Sequence, residues 1–340
     1  MIKPFRLHFN LIWVALFGAL PIPVLAAPGY TASRAELEQV LADLIAWLPG
    51  AWDSYPQVLA ERSGVPPPDG EHEHWHRTFA RIDAPQIGDV VFYGQVNVGG
   101  REGPIIAGSQ VIYKAVIDER LGAVNILGQG PLDPEKYENL HDRPELWREV
   151  KMREPEALNC DFIWRRDGAQ IFGVLAGNTP DKQKYGPGTC AFTSKRTDAE
   201  FRADAEWVLS PEAFWLYDNN WMDDRLFLGR EDRTHIRLSR ARPYVCAVKD
   251  AAGERRLDAH DRGFSFAAKT SGETSVELRL LRADYADNGR PGLRDRLRLS
   301  AGEAVSDAEP MAARIALTVD GVAVSCVRRD TFPTMVPASH

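Results

Sequence analysis

From residue 71 onward the apolar residues recur at every second position, in short runs broken by Gly, Pro, Asn and Asp. This period of two constrains the fold more than any other feature, because it places successive side chains on opposite faces of strands. Residues 90–96, 109–117, 123–127, 201–209, 213–218, 225–230 and 234–238 read as strands joined by turns. Only residues 33–48 carry leucines at helical spacing: Ser33 caps this helix, Glu36 completes a capping box, and Pro49-Gly50 stops it. One helix followed by many short strands predicts a mainly β chain, an antiparallel sandwich or barrel, and roughly nine strands would close a barrel with room for a ligand.

Four cysteines divide the strands into two groups. Cys160 and Cys190 bracket a strand-turn-strand pattern in which Asp167-Gly168 reads as a type I′ hairpin turn; Asp320-Gly321 carries the same signal near the C-terminal end. Three pairings are open, and Cys160–Cys190 with Cys246–Cys326 is favoured, the second bond closing the C-terminal region on itself. Disulfides need an oxidising compartment, and residues 1–26 read as a signal peptide: Lys3 and Arg6, an apolar core over 11–25, and small residues at Val24 and Ala26 for cleavage before Ala27. Pro21 and Pro23 interrupt that core, which is shorter than the ~20 residues of a spanning helix, so no stable membrane insertion is expected after cleavage. The expected location is periplasmic or secreted. A net charge of −7 and a pI near 5.7 argue against nucleic acid as a partner.

Leu48-Pro49-Gly50-Ala51-Trp52, the strand pair around 84–93, Gln110-Val111-Ile112-Tyr113, the Cys160…Gly173…Cys190 pattern and Leu228-Gly229-Arg230 follow one another in an order that resembles the CpcT/CpeT-type chromophore lyase family over about residues 35–245. The resemblance implies a calycin/lipocalin-like antiparallel β-barrel with an N-terminal helix. It also implies the attachment of a linear tetrapyrrole (a bilin) to a cysteine of an acceptor protein. Where the family carries arginine before Gln110, this chain has Ser109, which leaves Arg77, Arg81 or Arg237 to meet a bilin propionate. The organisation expected is a signal peptide (1–26), a barrel domain (27–245), a C-terminal β extension (246–330) and a loose tail (331–340).

Tyr93, Gln95, Gln110, Tyr113, Trp164 and Trp215 combine apolar area with polar tips and are the expected lining of a ligand pocket. His72, His74 and His76 alternate on what reads as one strand, so their imidazoles could converge on zinc or copper; a solvated face or barrel packing is the plainer reading. The acidic stretch 218–224 reads as a β-turn rather than a calcium loop, and Gly99 to Gly103 as a hairpin tip. No nucleophile motif is present, and the cysteines are assigned to disulfides. Two functions follow: a lyase-like protein that holds a bilin or other tetrapyrrole and attaches it to a partner cysteine, or an exported, non-catalytic binding protein for another small hydrophobic ligand.

Overall fold

The structure, a computed structural model, describes residues 32–155, 160–177, 189–193, 198–272, 274–286 and 293–330. The expected signal peptide and tail lie outside the described residues. The chain opens with α1 (Arg34–Trp47), β1 (Gly50–Asp53), α2 (Tyr55–Ser63), β2 (Trp75–Arg81), β3 (Val91–Val98), β4 (Val111–Asp118) and β5 (Ala123–Gln129). It continues through β6 (Phe162–Asp167), β7 (Gln170–Leu175), β8 (Thr189–Thr193), β9 (Glu200–Leu209), β10 (Ala213–Met222), β11 (Arg225–Leu228) and β12 (Ile236–Ala241). Ten of these strands form a closed antiparallel barrel: β10-β12-β1-β2-β3-β4-β5-β6-β7-β9, with β9 returning to pair β10. β8 and β11 attach to β9 and β10 outside that ring.

Alternation along each strand sorts the side chains. On β2, Trp75 and Phe79 join the interior core, as do Phe92 and Val96 on β3 and Tyr113 and Ala115 on β4. α1 keeps the predicted capping box, and Val40 and Leu44 extend the same core. The second helix has no counterpart in the sequence reading. Ser54 precedes it and Pro56 stands in its first turn, a favourable start, but nine residues are too few to display helical periodicity. Ala51 and Trp52, just past the Pro49-Gly50 stop, pair with β2 and β12.

The two Asp-Gly turns differ. Asp320 and Gly321 both have positive φ and sit between the paired Val319 and Val322, as a type I′ turn requires. In the other hairpin Asp167 pairs with Gln170, so the turn is Gly168-Ala169, one residue later than expected, with only Gly168 left-handed.

The C-terminal region is a sandwich of two four-stranded sheets. One runs β14 (Gly253–His260), β13 (Pro243–Asp250), β20 (Val322–Arg328) and β19 (Arg314–Val319); the other runs β15 (Arg262–Lys269), β16 (Ser275–Ala286), β17 (Leu293–Ala301) and β18 (Ala304–Ala308). Val248, Leu280, Leu299 and Val324 pack between them. Both disulfides are those expected: Cys160–Cys190 ties β8 to the start of β6, and Cys246–Cys326 links directly opposed residues of β13 and β20. The change of sheet falls at Arg242, between β12 and β13, rather than at 245/246. No described helix is long and apolar enough to cross a membrane.

Candidate ligand cavity in the barrel

A cavity of about 300 Å³ lies within the barrel, walled by apolar side chains that include Val96, Val111, Phe162, Leu175 and Trp207. Its polar groups are few and convergent: Arg77, Tyr113, Asp218 and Asn220. Arg77 is 5% exposed, so its charge is held almost entirely inside the protein. The guanidinium carbon lies 4.5 Å from the centre of the Trp207 ring and 4.9 Å from that of Phe79, which supplies cation–π attraction in place of lost hydration. Nη2 donates to the Tyr113 hydroxyl at 3.0 Å, while Nε has no hydrogen-bond partner among the described residues.

Asp218 answers this cation from β10. Burial pushes its carboxyl above the ordinary range, Arg77 works in the opposite direction, and Asn220 Nδ2 donates to Oδ1 at 2.8 Å. Burial likewise pushes the Tyr113 phenol up against the pull of Arg77. The Tyr113 ring fits because Gly94 faces it: a Cβ there would come within 2.9 Å of both Tyr113 and Phe79. Ser109, at the position where arginine was expected, also lines the cavity, and its hydroxyl accepts from Val96 N–H at 3.2 Å. Arg81 and Arg237 are exposed, so of the three alternatives only Arg77 enters the barrel.

The six expected pocket residues separate. Tyr113 lines the cavity. Tyr93, Gln95 and Gln110 stand on the outer face, where Tyr93 Oη lies 2.7 Å from Gln95 Oε1 and 3.1 Å from Gln110 Oε1. Gln95 Nε2 donates to Asn139 Oδ1 at 2.8 Å, so this trio pins the segment around Tyr137 and Leu140 to the outside of the wall. The reason is parity: Gln110 and Tyr113 are three apart and cannot share a face of one strand. Trp164 is fully buried against Trp207 and Gly173, where a Cβ would meet its ring at 2.6 Å, and does not line the cavity. Trp215, 44% exposed, faces outward.

The three histidines separate as well. β2 begins only at Trp75, so His72 is not on the expected strand face; it turns to Glu61 of α2, with Nδ1 2.8 Å from Oε1. His74 Nε2 and His76 Nδ1 each approach one oxygen of Asp53 at 2.9 Å. Burial opposes the charge on Asp53, but the two imidazole hydrogen bonds prevail and hold its carboxyl well below the ordinary range. In the acidic stretch, Asp218 to Met222 belong to β10 and only Asp223-Asp224 makes the turn.

Sequence reasoning therefore placed Arg77 only as a substitute and put Asp218 in a turn. The signal was present in the alternation: Trp75-x-Arg77-x-Phe79 and Phe214-x-Leu216-x-Asp218 each carry a charge on an otherwise apolar face.

No family model matches the chain, and no curated protein matches it. Among solved structures, the selenomethionine form of the CRL protein of Arabidopsis aligns with 62% of this chain and 100% of that chain, at 15% identity and a TM-score of 0.44.

Proposed function

We propose that the barrel binds a small apolar molecule that carries an acidic group, in an oxidising compartment outside the cytoplasm. The observation that carries this reading is Arg77, a buried cation with an unpartnered Nε in a cavity whose walls are mainly apolar. Leaving such a group unsatisfied costs free energy, and a carboxylate would supply the missing charge-assisted hydrogen bond. The volume sits at the lower end of the ~300–1,000 Å³ usual for ligand pockets, which favours a compact ligand or one that protrudes. A linear tetrapyrrole of the kind the CpcT/CpeT resemblance implies has carboxylates for Arg77 and pyrrole N–H groups for Asp218, and is the first ligand to test.

Attachment of that ligand to another protein is the second reading. All four cysteines are in disulfides, so a covalent product would need an acceptor thiol on a partner. The two disulfides fit an oxidising location, and with the signal-like residues 1–26 they favour the periplasm or secretion. The test is a visible-absorption titration of the full chain with biliverdin, with displacement of a fluorescent fatty acid in parallel, in wild type and Arg77→Met. Saturable binding of either probe that weakens about 10- to 100-fold in Arg77→Met is expected. Binding that is indifferent to Arg77 would sink the reading.

A further inference from the structure

Outside the barrel wall, where β1 and β2 meet the sandwich, Asp53, His76 and His260 each offer one ligand atom, and these atoms lie within 4.8 Å of one another. The three come from β1, β2 and β14, and are 0%, 1% and 3% exposed. Burial of a carboxylate and two imidazoles is costly unless each is matched, and here the match is incomplete. His76 Nδ1 is 2.9 Å from Asp53 Oδ2, but His260 Nε2 stands 4.0 Å from the same oxygen, too far for a hydrogen bond.

We propose that Asp53, His76 and His260 bind a divalent transition-metal ion of the zinc class, which joins the barrel to the sandwich. Two imidazoles and one carboxylate are a donor set for such ions. Bonds of about 2.0–2.2 Å place neighbouring ligand atoms roughly 3–3.5 Å apart, between the two separations observed. The outer shell of the carboxylate is already in place: Asp53 Oδ1 accepts from Tyr55 N–H at 2.8 Å and from His74 Nε2 at 2.9 Å, which leaves Oδ2 turned to the two histidines. A junction cavity of about 460 Å³ reaches His76 alone of the three, with Arg101 and His141 on its other walls. Loading changes two tautomers. His76 moves its proton to Nε2; His260 moves its own to Nδ1, which opens the 3.2 Å contact from Arg262 N–H.

The site is independent of the barrel ligand. Its test is calorimetry and thermal unfolding of the tag-free full chain, stripped with chelator and titrated with zinc chloride. One equivalent should bind and raise the melting temperature. His260→Gln should weaken binding by at least about 100-fold, His74→Phe by about 10-fold at unchanged stoichiometry, and His235→Gln, on the surface by Glu206, not at all. Should His260→Gln fail to fold, cobalt on the wild type decides: intense four-coordinate visible absorption displaced by zinc supports the site, and the weak spectrum of the hydrated ion overturns it. Binding that survives His260→Gln, or no binding, also overturns it.

Discussion

The barrel encloses Arg77, Asp218 and Asn220 around a cavity, whereas Val248, Leu280, Leu299 and Val324 pack between the sheets of the sandwich with the Cys246–Cys326 bond, and the buried His260, Asp261 and Arg262 lie at the turn between β14 and β15. Both are antiparallel and both alternate. What separates them is closure. Two sheets packed about 10 Å apart are filled by the side chains that face each other. Ten strands closed on themselves have a wider bore than their inward side chains need to fill, so space remains, and polar groups can be kept there for a ligand. The sandwich interior is filled, whereas the barrel keeps open space within its core.

That contrast can be broken most forcefully at the disulfides. Chain-entropy arguments give about 4.5 kcal/mol for the Cys246–Cys326 bond, with its sequence separation of 80, and about 3.6 kcal/mol for Cys160–Cys190, with a separation of 30. Denaturant unfolding of the two double-alanine variants should rank them in that order, and only loss of Cys160–Cys190, which borders the cavity, should alter ligand binding. The opposite ranking would mean that the sandwich core holds without its staple.

The same deletion in each region is a sharper comparison. Leu280→Ala, in the filled sandwich, should cost about 2–5 kcal/mol, whereas Leu175→Ala, whose side chain already borders empty space, should fall at or below the bottom of that range. Equal losses in chemical denaturation would argue that the cavity is collapsed in solution. Arg77→Met leaves the buried Asp218 carboxyl without its cation and the Tyr113 hydroxyl without its donor, so it should cost about 3–5 kcal/mol of stability while reducing affinity about 10- to 100-fold.

The smallest effect concerns the wrapped outer wall. His141 stacks on Tyr93, and burial pushes its imidazole down to about 4, so it stays neutral in the folded chain. Between the unfolded value near 6.5 and about 4, the unfolded chain takes up a proton that the folded chain refuses; stability therefore falls as pH is lowered, by at most about 1.4 kcal/mol per unit. Urea midpoints at pH 7 and pH 5 should show the fall, and His141→Phe should reduce it, with the remainder owed to His260, whose imidazole burial pushes down to about 3. A midpoint that rises on acidification would contradict the buried, neutral assignment.

Much of the architecture was legible because it depends on local patterns. Ser33 and Glu36 mark the start of α1, Asp320-Gly321 marks a type I′ turn, and alternation marks the strands. The shift of the first hairpin turn to Gly168-Ala169 was not legible, because one glycine can serve either register and pairing across β6 and β7 chooses between them. α2 was hidden by its length. For the cavity, parity correctly interpreted would have put Arg77 with Trp75 and Phe79 and set Gln110 against Tyr113.

The sequence by itself determined a mainly β chain and its N-terminal helix, since periodicity and caps are properties of neighbouring residues, and it favoured one cysteine pairing out of three. Only the tertiary structure decided which face of each strand is the inside. Closure of β9 onto β10 turns Arg77 and Asp218 toward each other from distant strands, and the end of β14 brings His260 within 4.0 Å of Asp53. Those encounters join residues far apart in the chain, and no local pattern records them.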